Sequence, residues 1–152
     1  MWEILGGLLV GTAVSGVLPL VNAELLVAGA AVAAPGIGVP ILAAVSATGQ
    51  MISKTLLFGV ARWAPARLPK KAQSTLERAS QSVARRGGTA GSLVFTSAAL
   101  GLPPFYGVSL VAGALGMSLR SFVVSGGVGR LLRFGALAWA ARHIGAGLLE
   151  AI

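Results

Sequence analysis

The chain has no cysteine, so it can build neither a disulfide framework nor a thiolate metal site. It has one histidine, His143, and a lone imidazole makes no metal centre. Four acidic residues in the whole chain leave little from which to assemble a nucleophile, base and acid. No phosphate loop, nucleophile elbow or zinc spacing is present. These absences point away from an enzyme, and nothing in the sequence calls for a cofactor.

Charge is the next scarcity. Charged residues make up 11% of the 152 residues, where a soluble domain carries roughly 25%. Hydrophobic residues make up 55%, and the mean hydropathy is +0.85. Residues 4–23, 25–53 and 87–119 contain no Asp, Glu, Lys or Arg. A helix of about 20 apolar residues crosses the hydrocarbon core, so the longer runs suffice for a span. A soluble bundle would need to bury these helices on every side. The expectation is an integral membrane protein. Val21-Asn22-Ala23 has the small residues of a cleavage site, but no Lys or Arg precedes the first apolar run. Residues 4–30 are therefore read as mature membrane sequence.

The net charge of +8 would suggest nucleic acid in a soluble chain. Here most of it sits in one place. Arg62, Arg67, Lys70, Lys71, Arg78, Arg85 and Arg86 face Glu77 alone, seven minus one, or +6. A short basic loop between apolar segments stays on the cytoplasmic side. Leu68 and the stretch Gln73–Ala84 suit either an amphipathic helix on the anionic leaflet or a solvated loop.

The chain also repeats itself. Leu18-Pro19 precedes Leu26-Val27-Ala28-Gly29-Ala30, and Leu102-Pro103 precedes Leu110-Val111-Ala112-Gly113-Ala114, at an offset of 84. After a slip of four residues, Gly49 matches Gly129, and Ala61-Arg62 matches Ala141-Arg142. Inverted repeats with interrupted apolar segments are a transporter signature. Pro19 and Pro103-Pro104 supply the interruptions, since proline removes a backbone donor and freed carbonyls in lipid need protein or trapped water. The fold expected is an all-α membrane protein: two re-entrant hairpins, 4–31 and 90–116, each followed by a span, 37–61 and 119–141. The basic linker 62–86 joins them in a single membrane domain, with repeats 1–61 and 87–152. A kinked spanning helix is the alternative for each hairpin. Gly126, Gly127, Gly129 and Gly135 suit close helix contacts or assembly of copies.

A few polar residues stand where lipid makes them costly. Glu24 lies five residues after Pro19, a candidate proton carrier or partner for a cation, or an interfacial residue at a hairpin mouth. Asn22 beside it would bond freed backbone or cap a helix. Lys54 falls deep in the first span. Arg130 and Arg133, at i and i+3, share a helix face in the second. Guanidinium matches phosphate or carboxylate through two parallel bonds. The expectation is that Glu24, Lys54, Arg130 and Arg133 converge on one polar site, against snorkelling to the headgroups. Tyr106 belongs to the second hairpin tip, with Gln50 and Ser53 as further polar candidates. Trp2, Trp63 and Trp139 suit interfacial belts.

Leu18-Pro19 with Glu24 and Ala28-Gly29 is similar to the first hairpin of the DedA, or VTT-domain (SNARE-associated Golgi protein), family. Gly49 through Gly59 followed by a basic loop resembles the next segment. Pro103-Pro104-Phe105-Tyr106-Gly107, Leu110 to Gly113, and Gly129-Arg130-Leu131-Leu132-Arg133-Phe134 look like the second hairpin and its span. The short YqaA-type branch is closest in length, and the resemblance covers about residues 15–142. It implies facing re-entrant hairpins and movement of lipid between leaflets. Polyprenyl phosphate is among the lipids implied, often with a proton or ion gradient. Glu24 carries over onto the acidic residue of the first hairpin, and Arg133 onto a basic residue of the second span. The sequence departs where longer relatives place arginines around the second proline: here stand Ala99, Leu100, Tyr106 and Gly107. The partners implied are membrane lipids with anionic or polyprenyl phosphate headgroups, and protons, with no nucleic acid; a homo-oligomer stays open. The location implied is the cell inner (plasma) membrane, multi-pass. Two rivals stand beside lipid transport: a small-cation or drug exporter exchanging on Glu24, and a non-transporting scaffold.

Overall fold

Proline and glycine set where the apolar runs break into helices. The computed structural model describes residues 1–18, 21–63, 70, 74, 81 and 90–150, with side chains to residue 144. The elements among the described residues are all helices: α1 (Trp2–Val17), α2 (Ala23–Ala33), α3 (Val39–Trp63), α4 (Ala90–Leu100), α5 (Phe105–Ala114) and α6 (Leu119–Glu150). Helix α1 ends at Leu18, which is extended (φ −97°, ψ 111°), as the residue before a proline prefers. Pro19 itself lies outside the described residues. So does most of the basic linker, including the stretch read as either an amphipathic helix or a solvated loop.

Asn22 starts α2. Its Oδ1 accepts from the backbone N–H of Glu24 (2.8 Å) and of Leu25 (3.4 Å), satisfying two donors that a helix start leaves open. The role of Asn22 is thus a cap. In the second half, α4 gives way at Gly101, whose φ of 82° is left-handed, and Pro104 opens α5. Ser97 Oγ donates to the carbonyl of Pro103 and so ties this turn to α4. Gly116 (φ 74°) closes α5. The Met117 N–H then donates to Ala112 and the Gly116 N–H to Gly113, a glycine-terminated helix end. The Ser118 hydroxyl accepts from Ser121 N–H and starts α6. This last helix runs beyond the expected limit of 141 to Glu150, as no proline follows to stop it.

Helix lengths separate two kinds of element. Helices α1, α2, α4 and α5 hold 16, 11, 11 and 10 residues, each short of the roughly 20 a span needs. They pair, α1 on α2 and α4 on α5. Helix α3, at 25 residues, is roughly 37 Å long. Among the described residues it is the one helix long and apolar enough to cross a membrane. Its outer stripe, Ile52, Leu56 and Val60, repeats every four residues and is exposed.

The compact units are not the two sequence halves. One comprises Met1–Gln50 with Arg130–Ile152, the other Met51–Gly129. Each takes one helix pair, part of α3 and part of α6. The first is built on Val27, Ala31, Leu42, Ala47, Phe134 and Ala138. The second is built on Phe58, Val94, Ala98, Phe105, Val108 and Phe122, with Phe58 stacked on Phe122 at 4.7 Å.

The units share an internal pattern. In the first, a Cβ on Gly49 of α3 would overlap Thr12 and the Leu9 carbonyl of α1, next to the Ala13 amide. In the second, a Cβ on Gly129 of α6 would meet Ala98 at 2.7 Å, the Phe95 carbonyl at 2.8 Å and the Ala99 amide at 3.1 Å on α4. Only glycine lets these backbones approach so closely. A Cβ on Gly126 would meet only side-chain ends, the Phe105 ring at 3.0 Å and Met51 at 3.1 Å, which can shift by a few tenths of an ångström. Gly127 has nothing within 4 Å of its Cβ position, and Gly135 makes ordinary contact with Ala43. Close backbone packing therefore falls to Gly129 alone among these four glycines.

Candidate functional site

The polar groups of the first unit lie on helices that its apolar core has already fixed. Arg133, on α6 beside the buried Phe134, reaches Glu24 in the first turn of α2. It donates from Nε (3.0 Å) and from Nη2 to the same oxygen, Oε1. The side chains are 24% and 45% exposed, so the pair is open on one side. Arg130, one turn earlier, is 7% exposed and lies within electrostatic reach of both Arg133 and Glu24. Its guanidinium stands 5.8 Å from the Phe134 ring centre. Among the described residues the cluster brings two guanidiniums, Arg133 and Arg130, to one carboxylate, Glu24.

A further polar seam runs through the same unit. Gln50 Nε2 donates to Ser15 Oγ at 3.2 Å, linking α3 to α1. Thr12 is fully buried and donates back to Leu8 O (2.7 Å). Ser46 is also fully buried, and its hydroxyl lacks a hydrogen-bond partner.

At the far end of α2, Arg142 donates from Nε to Ala31 O (3.1 Å) and from Nη2 to Ala34 O (3.3 Å) and Ile37 O. These carbonyls lie at and just past the end of α2, where acceptors are left open. Helix α2 is therefore held to α6 at both ends, by Arg133 and by Arg142. The sequence had marked Arg142 only as a repeat position, and its partner Arg62 supplies the signal that could have been read. In the second unit Arg62 Nη1 donates to Met117 O at 2.7 Å, just past the end of α5.

Lys54 and Tyr106 belong to the second unit. Lys54 is 5% exposed, with Nζ 5.4 Å from the Tyr106 ring centre, a cation–π contact. Tyr106 lies in the first turn of α5, as Glu24 does in α2. The four-residue cluster expected from sequence thus appears in the first unit as three, Glu24, Arg133 and Arg130. Lys54 makes its own contact on α5. Trp2, Trp63 and Trp139 are all exposed. His143 stacks on Trp139 at 4.1 Å. Among the described residues no group of acidic or histidine side chains could hold a metal ion.

No family model, curated protein or solved structure matches the chain.

Proposed function

We propose that the protein is a multi-pass membrane carrier that moves an anionic lipid, such as a polyprenyl phosphate, between leaflets, without enzymatic chemistry. The observation that carries this reading is the half-open pair of Arg133 and Glu24 with the buried Arg130 within electrostatic reach of both. Guanidinium pairs bind phosphate oxygens in a fixed fork, so Arg133 and Arg130 hold the headgroup. Glu24 is the group that exchanges protons as the lipid passes.

The membrane setting rests on three supports: the span-length helix α3, the charge-poor composition, and large apolar side chains left exposed in mid-helix. Leu56 is 63% exposed and Val124 is 64% exposed; such surface suits lipid better than water. The paired short helices are then re-entrant hairpins, the two halves an inverted repeat, and the basic linker cytoplasmic. The resemblance to the DedA family agrees with this arrangement and with the roles given to Glu24 and Arg133. The cation-exporter reading is the weaker one, because Glu24 is already engaged by Arg133.

Leaflet exchange in proteoliposomes tests the proposal, with fluorescent polyprenyl phosphate and phosphatidylcholine compared. The expected result is fast exchange of the phosphate lipid by the wild type and loss of it in Arg133→Ala. Equal exchange of both lipids, or an unchanged rate in Arg133→Ala, would overturn it.

A further inference from the structure

The internal repeat isolates what Glu24 is for. At the offset of 84 its counterpart is Val108, which is 1% exposed in the apolar core of the second unit. Helices α2 and α5 occupy matched places: Arg142 bonds carbonyls past the end of one, Arg62 a carbonyl past the end of the other. The second unit pairs α4 with α5 with no carboxylate on either helix.

The geometry of Glu24 suggests a purpose. Arg133 places two donors on a single carboxylate oxygen, the contact a phosphate oxygen would make. Oε1 carries both bonds, and the side chain is 45% exposed, so Glu24 can turn away into polar surroundings without losing a buried position. Arg133 is itself 24% exposed and can be reached from outside. Arg130 is buried one turn earlier on the same helix, within electrostatic reach of both Arg133 and Glu24. Arg142, the other ionisable group of α6 that touches α2, is bound to backbone carbonyls at the opposite end. It does not compete for Glu24.

We propose that Glu24 is a built-in stand-in for the ligand's phosphate: it occupies Arg133 while the site is empty and is displaced when a phosphate headgroup arrives. This rests on the anionic-lipid reading above and adds to it the order of events. Anion exchange keeps the charge of Arg133 balanced throughout, so the guanidinium is never left bare in an apolar setting.

The sign of one substitution separates this role from an ordinary positioning role. If Glu24 only held Arg133 in place, removing its charge would weaken ligand binding. As a competitor, its removal strengthens binding. The test is calorimetric titration of the full chain in detergent with dihexanoyl phosphatidic acid, inorganic phosphate and dihexanoyl phosphatidylcholine. Glu24→Gln should bind phosphatidic acid about tenfold more tightly than the wild type, the worth of one charged hydrogen bond. Glu24→Val, which installs the residue of the second unit, should show the same gain. Adding Arg133→Ala to either should remove it. A gain confined to phosphatidic acid identifies the lipid as ligand; an equal gain with inorganic phosphate identifies the free anion, displaced by the same route. Unchanged or weaker binding in both Glu24 variants, with a wild type that binds, would overturn the stand-in role and leave the carrier reading intact. No binding of either phosphate compound by any form would overturn both.

Discussion

Arg133 and Arg142 sit nine positions apart on α6 and do different work. Arg133 meets a half-exposed carboxylate, and such pairs contribute little to stability, about 0–1 kcal/mol. Arg133→Ala should therefore unfold at nearly the wild-type denaturant concentration in detergent while losing exchange of the phosphate lipid. A large loss of stability would show that the pair is a structural brace. Arg142 instead satisfies three backbone carbonyls. Charged hydrogen bonds contribute roughly 1.5–3 kcal/mol each when isolated, and shared across one guanidinium a loss of about 2–3 kcal/mol is expected for Arg142→Ala. Arg62→Ala, which frees one carbonyl, should lose clearly less; equal losses would contradict the contact geometry. Glu24, Arg130 and Arg133 were legible in the sequence because a charge in an apolar run declares itself by its cost. The task of Arg142 was not, because carbonyl acceptors exist at every residue and only the fold shows which helix end is left open.

At the scale of elements, matched glycines make the sharpest predictions. Gly29 and Gly113 occupy the same place in the repeated Leu-Val-Ala-Gly-Ala segment. Nothing lies within 4 Å of a Cβ on Gly29, while one on Gly113 would overlap the Phe58 carbonyl. Gly29→Ala should raise stability by up to about 1 kcal/mol, the helix-propensity gain, and Gly113→Ala should lower it by at least as much. Thermal unfolding of the two variants in one detergent reads the opposite signs; shifts of the same sign would contradict the packing. Gly127→Ala should be near neutral or stabilising, and Gly129→Ala destabilising. The helix breaks were legible at proline and glycine, because those residues act through local backbone geometry. The close approaches at Gly49 and Gly129 were foreseen only as matched glycines. A small residue says that a neighbour can come near, not which one does.

For the whole molecule, the repeat was visible as ten identities in two registers. The division of the chain was not. The compact units each draw on both sequence halves, since long helices carry residues past the hairpin that precedes them. The ion pair of Glu24 with Arg133 therefore joins residues 109 apart, a distance that no local pattern can encode. The proposed function requires the chain to lie within a bilayer, and its own tryptophans test that. Trp2, Trp63 and Trp139 are the three tryptophans of the sequence, all exposed; Trp2 and Trp63 stand at helix ends, and Trp139 lies eleven residues before the end of α6. The decisive measurement is quenching of their fluorescence in liposomes by lipids brominated at defined depths. Strong quenching by bromine near the headgroups, and weaker quenching at mid-chain, is the result expected of interfacial tryptophans. Fluorescence untouched by bromine at any depth, yet quenched fully by a water-soluble agent, would place the protein outside the membrane and contradict the account.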